Sequence, residues 1–97
     1  MSTDTDEGFY NRADAVIRLA NEQLAQISRG QVSASCLYAA SRFNAWVSAC
    51  GFESSADMLA AKDETMEYFV EQFRSMLEEN LDDYIKDFEN YMRPSKA

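Results

Sequence analysis

The residues best placed to do chemistry in this 97-residue chain are carboxylates, because it contains no histidine. Histidine is the commonest general base and metal ligand near neutral pH, so its absence removes most nucleophilic triads and the ordinary zinc sites. With only three glycines, the chain has no phosphate-cradling loop and no dinucleotide fingerprint. The densest group of acids is Glu78, Glu79, Asp82 and Asp83. Spacing of four on a helix pairs Glu78 with Asp82 and Glu79 with Asp83 on adjacent faces, where oxygens could converge on a hard cation. The di-metal helical bundles rely on Glu-x-x-His, however, and calcium sites on an EF-hand loop, and neither pattern occurs. The expected role is a solvated helix face. No catalytic residue, cofactor site or metal site is assigned, and the chain is expected not to be an enzyme.

Arg42 and Asn44 interrupt a stretch that is otherwise mostly small and apolar. A charge packed in a helical bundle needs a hydrogen-bonding partner, and the acids of the C-terminal helix can supply one. Arg42, Asn44, Glu79, Asn80 and Asp83 are therefore expected to form a buried polar network that fixes helix register, the competing reading being a small-ligand pocket. Cys36 and Cys50 are the only thiols. Fourteen residues apart on one helix, they would stand about 21 Å from each other, too far for a disulfide, and both are expected as small buried hydrophobes.

These side chains are carried on what reads as an all-α chain. Phe9, Ala13, Val16, Ile17, Ala20, Leu24 and Ile27 recur at helical spacing, predicting a first helix from about Gly8 to Ser28, with Asp4, Asp6 and Glu7 favourably near its positive end. Ser28 to Gln31 reads as a turn with Gly30 as the stop. The second helix is expected over Ala34 to Cys50, capped by Ser33 and stapled by Val32 against Leu37. Gly51 is expected in the left-handed position at its end, with Phe52 folding back onto Val47. Rich in Ala and Ser, with Phe43 and Trp46 for bulk, this helix is expected to be the most buried element.

Ser54, with Asp57 three residues on, marks a third start. From Met66 to Met92 the apolar residues keep a helical period with no Gly or Pro, and Arg93-Pro94 ends the run. A helix from Ser54 to Met92 would be about 57 Å long, against a diameter of roughly 32 Å for a compact domain of this size. The expected architecture is thus one domain over residues 1–97, an antiparallel bundle of three helices with a very long C-terminal one, a flexible N-terminus at 1–7 and a tail at 93–97. The alternative is four helices with a break near Asn80, but the phase from Phe73 through Leu77, Leu81, Tyr84, Phe88 and Tyr91 runs straight across that residue.

A continuous helix carries Leu81, Tyr84, Ile85, Phe88, Tyr91 and Met92 past anything its own hairpin can cover. Six large apolar side chains left in water are a solubility liability, and a second copy of the chain is the simplest cover. The expected assembly is a homodimer through these residues, with the C-terminal helices antiparallel.

Of the formal net charge of −8, the segment from Glu64 to Met92 holds −7, with nine acids against Arg74 and Lys86. Such a surface repels phosphate backbones and anionic lipid, so neither nucleic acid nor membrane is an expected partner, and any charged partner would be basic. The segment Met1 to Glu7 has no basic or apolar run of a signal peptide, and no stretch has the length of a membrane span, so the expected location is cytoplasmic.

Leu37-Tyr38-Ala39-Ala40-Ser41-Arg42-Phe43-Asn44-Ala45, then Tyr68-Phe69, Glu71-Gln72-Phe73-Arg74 and Met76-Leu77-Glu78-Glu79-Asn80-Leu81-Asp82-Asp83-Tyr84, resembles a family of short bacterial proteins grouped as a domain of unknown function, numbered thirty-one forty-four. The resemblance covers roughly Phe9 to Tyr91. It implies a small bacterial all-helical protein and brings no activity, substrate or catalytic residue. The function expected from the residues is a non-enzymatic, self-associating interaction or regulatory module. The alternatives are a small-ligand or metal-binding domain using Arg42, Asn44 and the acidic cluster, and an acidic decoy for a basic protein.

Overall fold

The computed structural model describes residues 6–93. Among them are five helices and no strand: α1 (Phe9–Gln23), α2 (Arg29–Ala49), α3 (Ser55–Ala60), α4 (Lys62–Lys86) and α5 (Phe88–Met92). The chain divides into two compact units, Met1–Val47 and Ser48–Ala97. The all-α class is as the residues predict; the count of three helices is not. The expected roles of residues 1–5 and of Pro94 to Ala97 lie outside the described residues.

In the first unit, Asp6 organises the start of α1. Its carbonyl accepts from the Phe9 amide at 3.0 Å. Its carboxylate accepts from the Gly8 amide at 2.9 Å and from the Arg12 guanidinium at 3.2 Å. These satisfy amides that a helix start leaves without intrahelical partners. Arg12 first, and then the Gly8 amide, hold the Asp6 carboxyl below its ordinary value of 3.8. At the other end α1 stops at Gln23, short of the predicted Ser28. The chain tightens there into three-residue bonds, Leu24 to Asn21 at 3.1 Å and Gln26 to Gln23 at 3.1 Å.

The start of α2 corrects the sequence reading most clearly. The helix begins at Arg29, five residues before the predicted Ala34, and neither Ser33 nor Gly30 interrupts it. Ser28 is its cap: the Ser28 hydroxyl oxygen accepts from the Gln31 amide at 3.2 Å, and the Gln31 side-chain oxygen accepts from the Ser28 amide at 3.2 Å. That reciprocal pair is a capping box, Ser-x-x-Gln. Gly30 is tolerated because a single glycine in a first turn costs at most about 1 kcal/mol relative to alanine, which a cap offsets. At the far end the Gly51 amide donates to Ser48 at 3.0 Å and the Phe52 amide to Ala49 at 3.1 Å. The φ of Gly51 lies outside the left-handed region, so the helix ends in a tightened turn and not in the predicted left-handed motif. Val32, 4% exposed, is the one buried hydrophobic among the described residues, yet Phe43 and Trp46 on the same helix are 62% and 60% exposed. The expectation that α2 would be the most buried element fails for its bulky residues.

In the second unit Ser54 is a cap as predicted. Its backbone is extended, at φ −155° and ψ 161°, and its hydroxyl accepts from the Asp57 amide at 3.1 Å. The single helix expected from there to Met92 is instead three. Ala61, at φ −98° and ψ 5°, separates α3 from α4, and Asp63 and Glu64 then occupy the first turn of α4, where the helix dipole favours acids. The second interruption is at Asp87, at φ −125° and ψ 38°. No break occurs near Asn80. Its side-chain amide donates to the Met76 carbonyl at 2.9 Å, within the helix, so the alternative with a cap at Asn80 is excluded.

The helix starts can be tested singly. Ser28→Ala removes the α2 cap and should lower stability by about 1 kcal/mol, read as a reduced denaturant midpoint at unchanged slope. The folded-state value of Asp6 lies below its ordinary one. The contribution of the Asp6–Arg12 contact is therefore complete above about pH 3.8 and lost as pH falls through the lower folded value. An acid titration of the Gly8 amide resonance should show that step, and Asp6→Asn should abolish it.

Candidate functional site

Among the described residues no three His, Cys, Asp or Glu side chains gather closely enough to hold a metal ion. Glu78, Glu79, Asp82 and Asp83 are all exposed, on two adjacent faces of α4. Of the residues expected in a buried polar network, Arg42 and Asn44 lie on α2, Arg42 exposed and Asn44 half-buried. Glu79, Asn80 and Asp83 lie on α4 and are all exposed. No charged or polar residue is buried among the described residues. Asn80 bonds its own helix, and Asp83 accepts from the Tyr91 hydroxyl. Cys36 is half-buried and Cys50, just beyond α2, is exposed, which corrects the expectation that both would be buried.

The apolar face of α4 and α5 is the most developed surface feature of the second unit. Thr65, Phe69 and Gln72 are half-buried, at the spacing of one helical face. From Phe73 onward every described residue is exposed. Beside that line an apolar stripe runs through Phe73, Met76, Leu77, Leu81 and Tyr84 of α4, and α5 adds Phe88, Tyr91 and Met92. All six residues predicted as interface are exposed, from 46% for Tyr91 to 72% for Ile85. If a full large side chain presents about 200 Å², the apolar residues from Phe73 to Met92 leave on the order of 900 Å² uncovered, comparable with what one partner contributes to a stable interface.

α4 ends at Asp87, and Tyr91 joins α5 back to it: its hydroxyl donates to the Asp83 carboxylate at 2.7 Å, and its ring lies 4.6 Å from that of Tyr84. The Asn90 side chain donates to the Asp87 carboxylate at 2.9 Å across the turn. The Arg93 guanidinium lies 5.8 Å over the Phe88 ring and 3.4 Å from Glu89. The sequence reading placed Tyr84 and Tyr91 on one stripe but missed the hydroxyl contact, since a spacing of eight along a straight helix does not suggest one. The Asp83 hydrogen bond, and then the Asp83 charge, raise the Tyr91 phenol above its ordinary value of 10.0.

Because that value is raised on folding, the contact is intact below pH 10.0 and is lost as pH rises through the higher folded-state value. An alkaline titration followed by the Tyr84 and Tyr91 ring resonances should show α5 releasing together with Tyr91 ionisation. In Tyr91→Phe the release should already be present at neutral pH.

The fold also places the chain among known proteins. It is similar to the NMR structure of the protein NB7890A from Shewanella sp, with 38% sequence identity and a TM-score of 0.76. That match covers 97% of this chain and 100% of the other. No curated protein matches the chain. A family model described as "Protein of unknown function (DUF3144)" matches residues 9–85, which contain α1 to α3 and nearly all of α4. The chain therefore belongs to the DUF3144 family of proteins of unknown function.

Proposed function

We propose that this protein is a non-enzymatic, self-associating helical module, in which the face of α4 and α5 is covered in a homodimer and the helices are completed as an antiparallel bundle. One observation carries the reading: the apolar residues from Phe73 to Ile85 recur at helical spacing along α4, Tyr91 of α5 rests against Tyr84, and every apolar residue from Phe73 to Met92 is 41% or more exposed. Water penalises such a surface in proportion to its area, and an uncovered contiguous patch of this extent is a mark of an interaction site. Its borders fit the same use, with apolar residues central and acids such as Glu78 and Asp82 flanking them, as the rim of an interface is usually polar.

The other readings have less support. A metal or small-ligand domain would draw on Arg42, Asn44 and the acidic cluster, and among the described residues no three acids gather closely enough to hold a metal ion. The acidic surface remains compatible with a basic protein as a further partner, to which a dimer could present the charge of two chains. Among the described residues no helix is long and apolar enough to cross a membrane. A cytoplasmic, regulatory role is the setting we assign to the dimer.

Size-exclusion chromatography with light scattering should give twice the mass of the 11.0 kDa chain at micromolar concentration. Ile85→Glu or Phe88→Glu should return it to the chain mass while leaving helical circular dichroism largely unchanged. A wild-type protein that elutes as a monomer throughout the accessible concentration range removes the proposal.

A further inference from the structure

The apolar face of α4 must be covered by a particular surface, and the charge of the two long helices points away from a second α4. Between Lys62 and Lys86, α4 carries eight acids against three bases. Two such helices seated face to face would bring like charges along the whole seam, in either direction, and like-charge juxtaposition disfavours a pairing. By contrast α2 has no acid at all from Arg29 to Ala49, and its two charges are Arg29 and Arg42.

The exposed side of α2 has the character of a receiving surface. Cys36 and Asn44 are half-buried. Tyr38 follows Cys36 by two residues, and Arg42 and Trp46 stand two residues on either side of Asn44. At 3.6 residues per turn, two residues are about 200° around the helix, so Tyr38 stands opposite Cys36, and Arg42 and Trp46 stand opposite Asn44. Tyr38 is 66% and Trp46 60% exposed, and Arg42 between them has no ion-pair partner among the described residues. This row is aromatic, cationic and aromatic at steps of four, with the small residues Ser35, Ala45 and Ala49 beside it. Small neighbours allow a helix backbone to approach closely, aromatic and arginine side chains are those most enriched at interface centres, and an unpaired guanidinium seeks a carboxylate.

We propose that the Tyr38–Arg42–Trp46 row of α2 in one chain receives the apolar face of α4 from a second copy, with Arg42 meeting an acid that flanks that face. The proposal rests on the self-association argued above and specifies its seam. In a two-fold dimer the pairing occurs twice, α2 on α4 and α4 on α2, so each copy covers the other's two unpartnered surfaces and places each positive row against a negative border.

The test is an isotope-filtered NOE experiment on a mixture of labelled and unlabelled full-length chains, paired with light scattering. Trp46 is the only tryptophan, so its ring resonances are an unambiguous probe. The expected result is a set of inter-chain NOEs from the Trp46 and Tyr38 rings to Leu77 and Leu81 side chains. Arg42→Glu should then raise the dimer dissociation constant about tenfold or more, and Arg42→Lys should change it by less than about threefold. A dimer whose inter-chain NOEs join only α4 to α4, or whose Trp46 NOEs to α4 all arise within one chain, overturns the seam and leaves the homodimer standing. An unchanged dissociation constant for a folded Arg42→Glu protein also overturns it. A monomer at every concentration overturns both the seam and the reading beneath it.

Discussion

The constraint on which this protein turns is the cost of an apolar helix face that its own second unit does not cover. A helix shelters its backbone polar groups internally, but its side chains must find cover from other elements. Met58, Phe69 and Gln72 are half-buried, and there the cover stops: from Phe73 the stripe continues to the end of α4 and into α5, with every residue exposed. The absence of Gly and Pro keeps α4 regular, the regularity keeps the stripe in phase, and the phase concentrates the uncovered side chains on one surface.

The break at Asp87 fits the same constraint. A helix that changes direction near its end would ordinarily scatter its last apolar residues. Here the Tyr91 hydroxyl bonds to Asp83 and its ring rests against Tyr84, so the displaced turn stays joined to the face it extends. Both contacts are exposed, and their energetic weight is correspondingly modest. Their effect is on geometry: α5 remains attached to α4.

Some of this was legible in the residues and some was not, for identifiable reasons. Ser54 followed by Asp57 announced a helix start, and the structure has the Ser54 hydroxyl bonded to the Asp57 amide, because capping is a local interaction. Ser28 followed by Gln31 is an equally local signal. It was obscured by Gly30, a residue that is a strong stop at a helix end but a mild defect in a first turn. Continuity through Asn80 could be read from phase, since a turn there would have shifted Leu81 off the stripe. The interruptions at Ala61 and Asp87 could not. A single residue that leaves helical geometry while its neighbours keep their hydrogen bonds barely disturbs periodicity, and Ala61 is itself a strong helix former. That the apolar stripe from Leu81 to Met92 would stand exposed could be read from the sequence, because an excess of apolar periodicity over available cover is a property of composition and length. The Tyr38–Arg42–Trp46 row could not, since which side of an almost uncharged helix faces outward has no signature in hydrophobic periodicity.

By itself the sequence determined the helical class, the DUF3144 family, the continuity of the stripe through Asn80, and the division of charge that leaves α2 free of acids while α4 carries eight. These depend on side-chain type and on spacing along a regular helix, both of which are written in the chain. Only the tertiary structure decided where α2 begins, that Ala61 and Asp87 interrupt the C-terminal run, that Tyr91 folds back onto Asp83, and which side chains of α2 stand in water. Those outcomes turn on backbone torsions at single residues and on the presence or absence of a neighbour in space. Periodicity averages over the first and contains no record of the second.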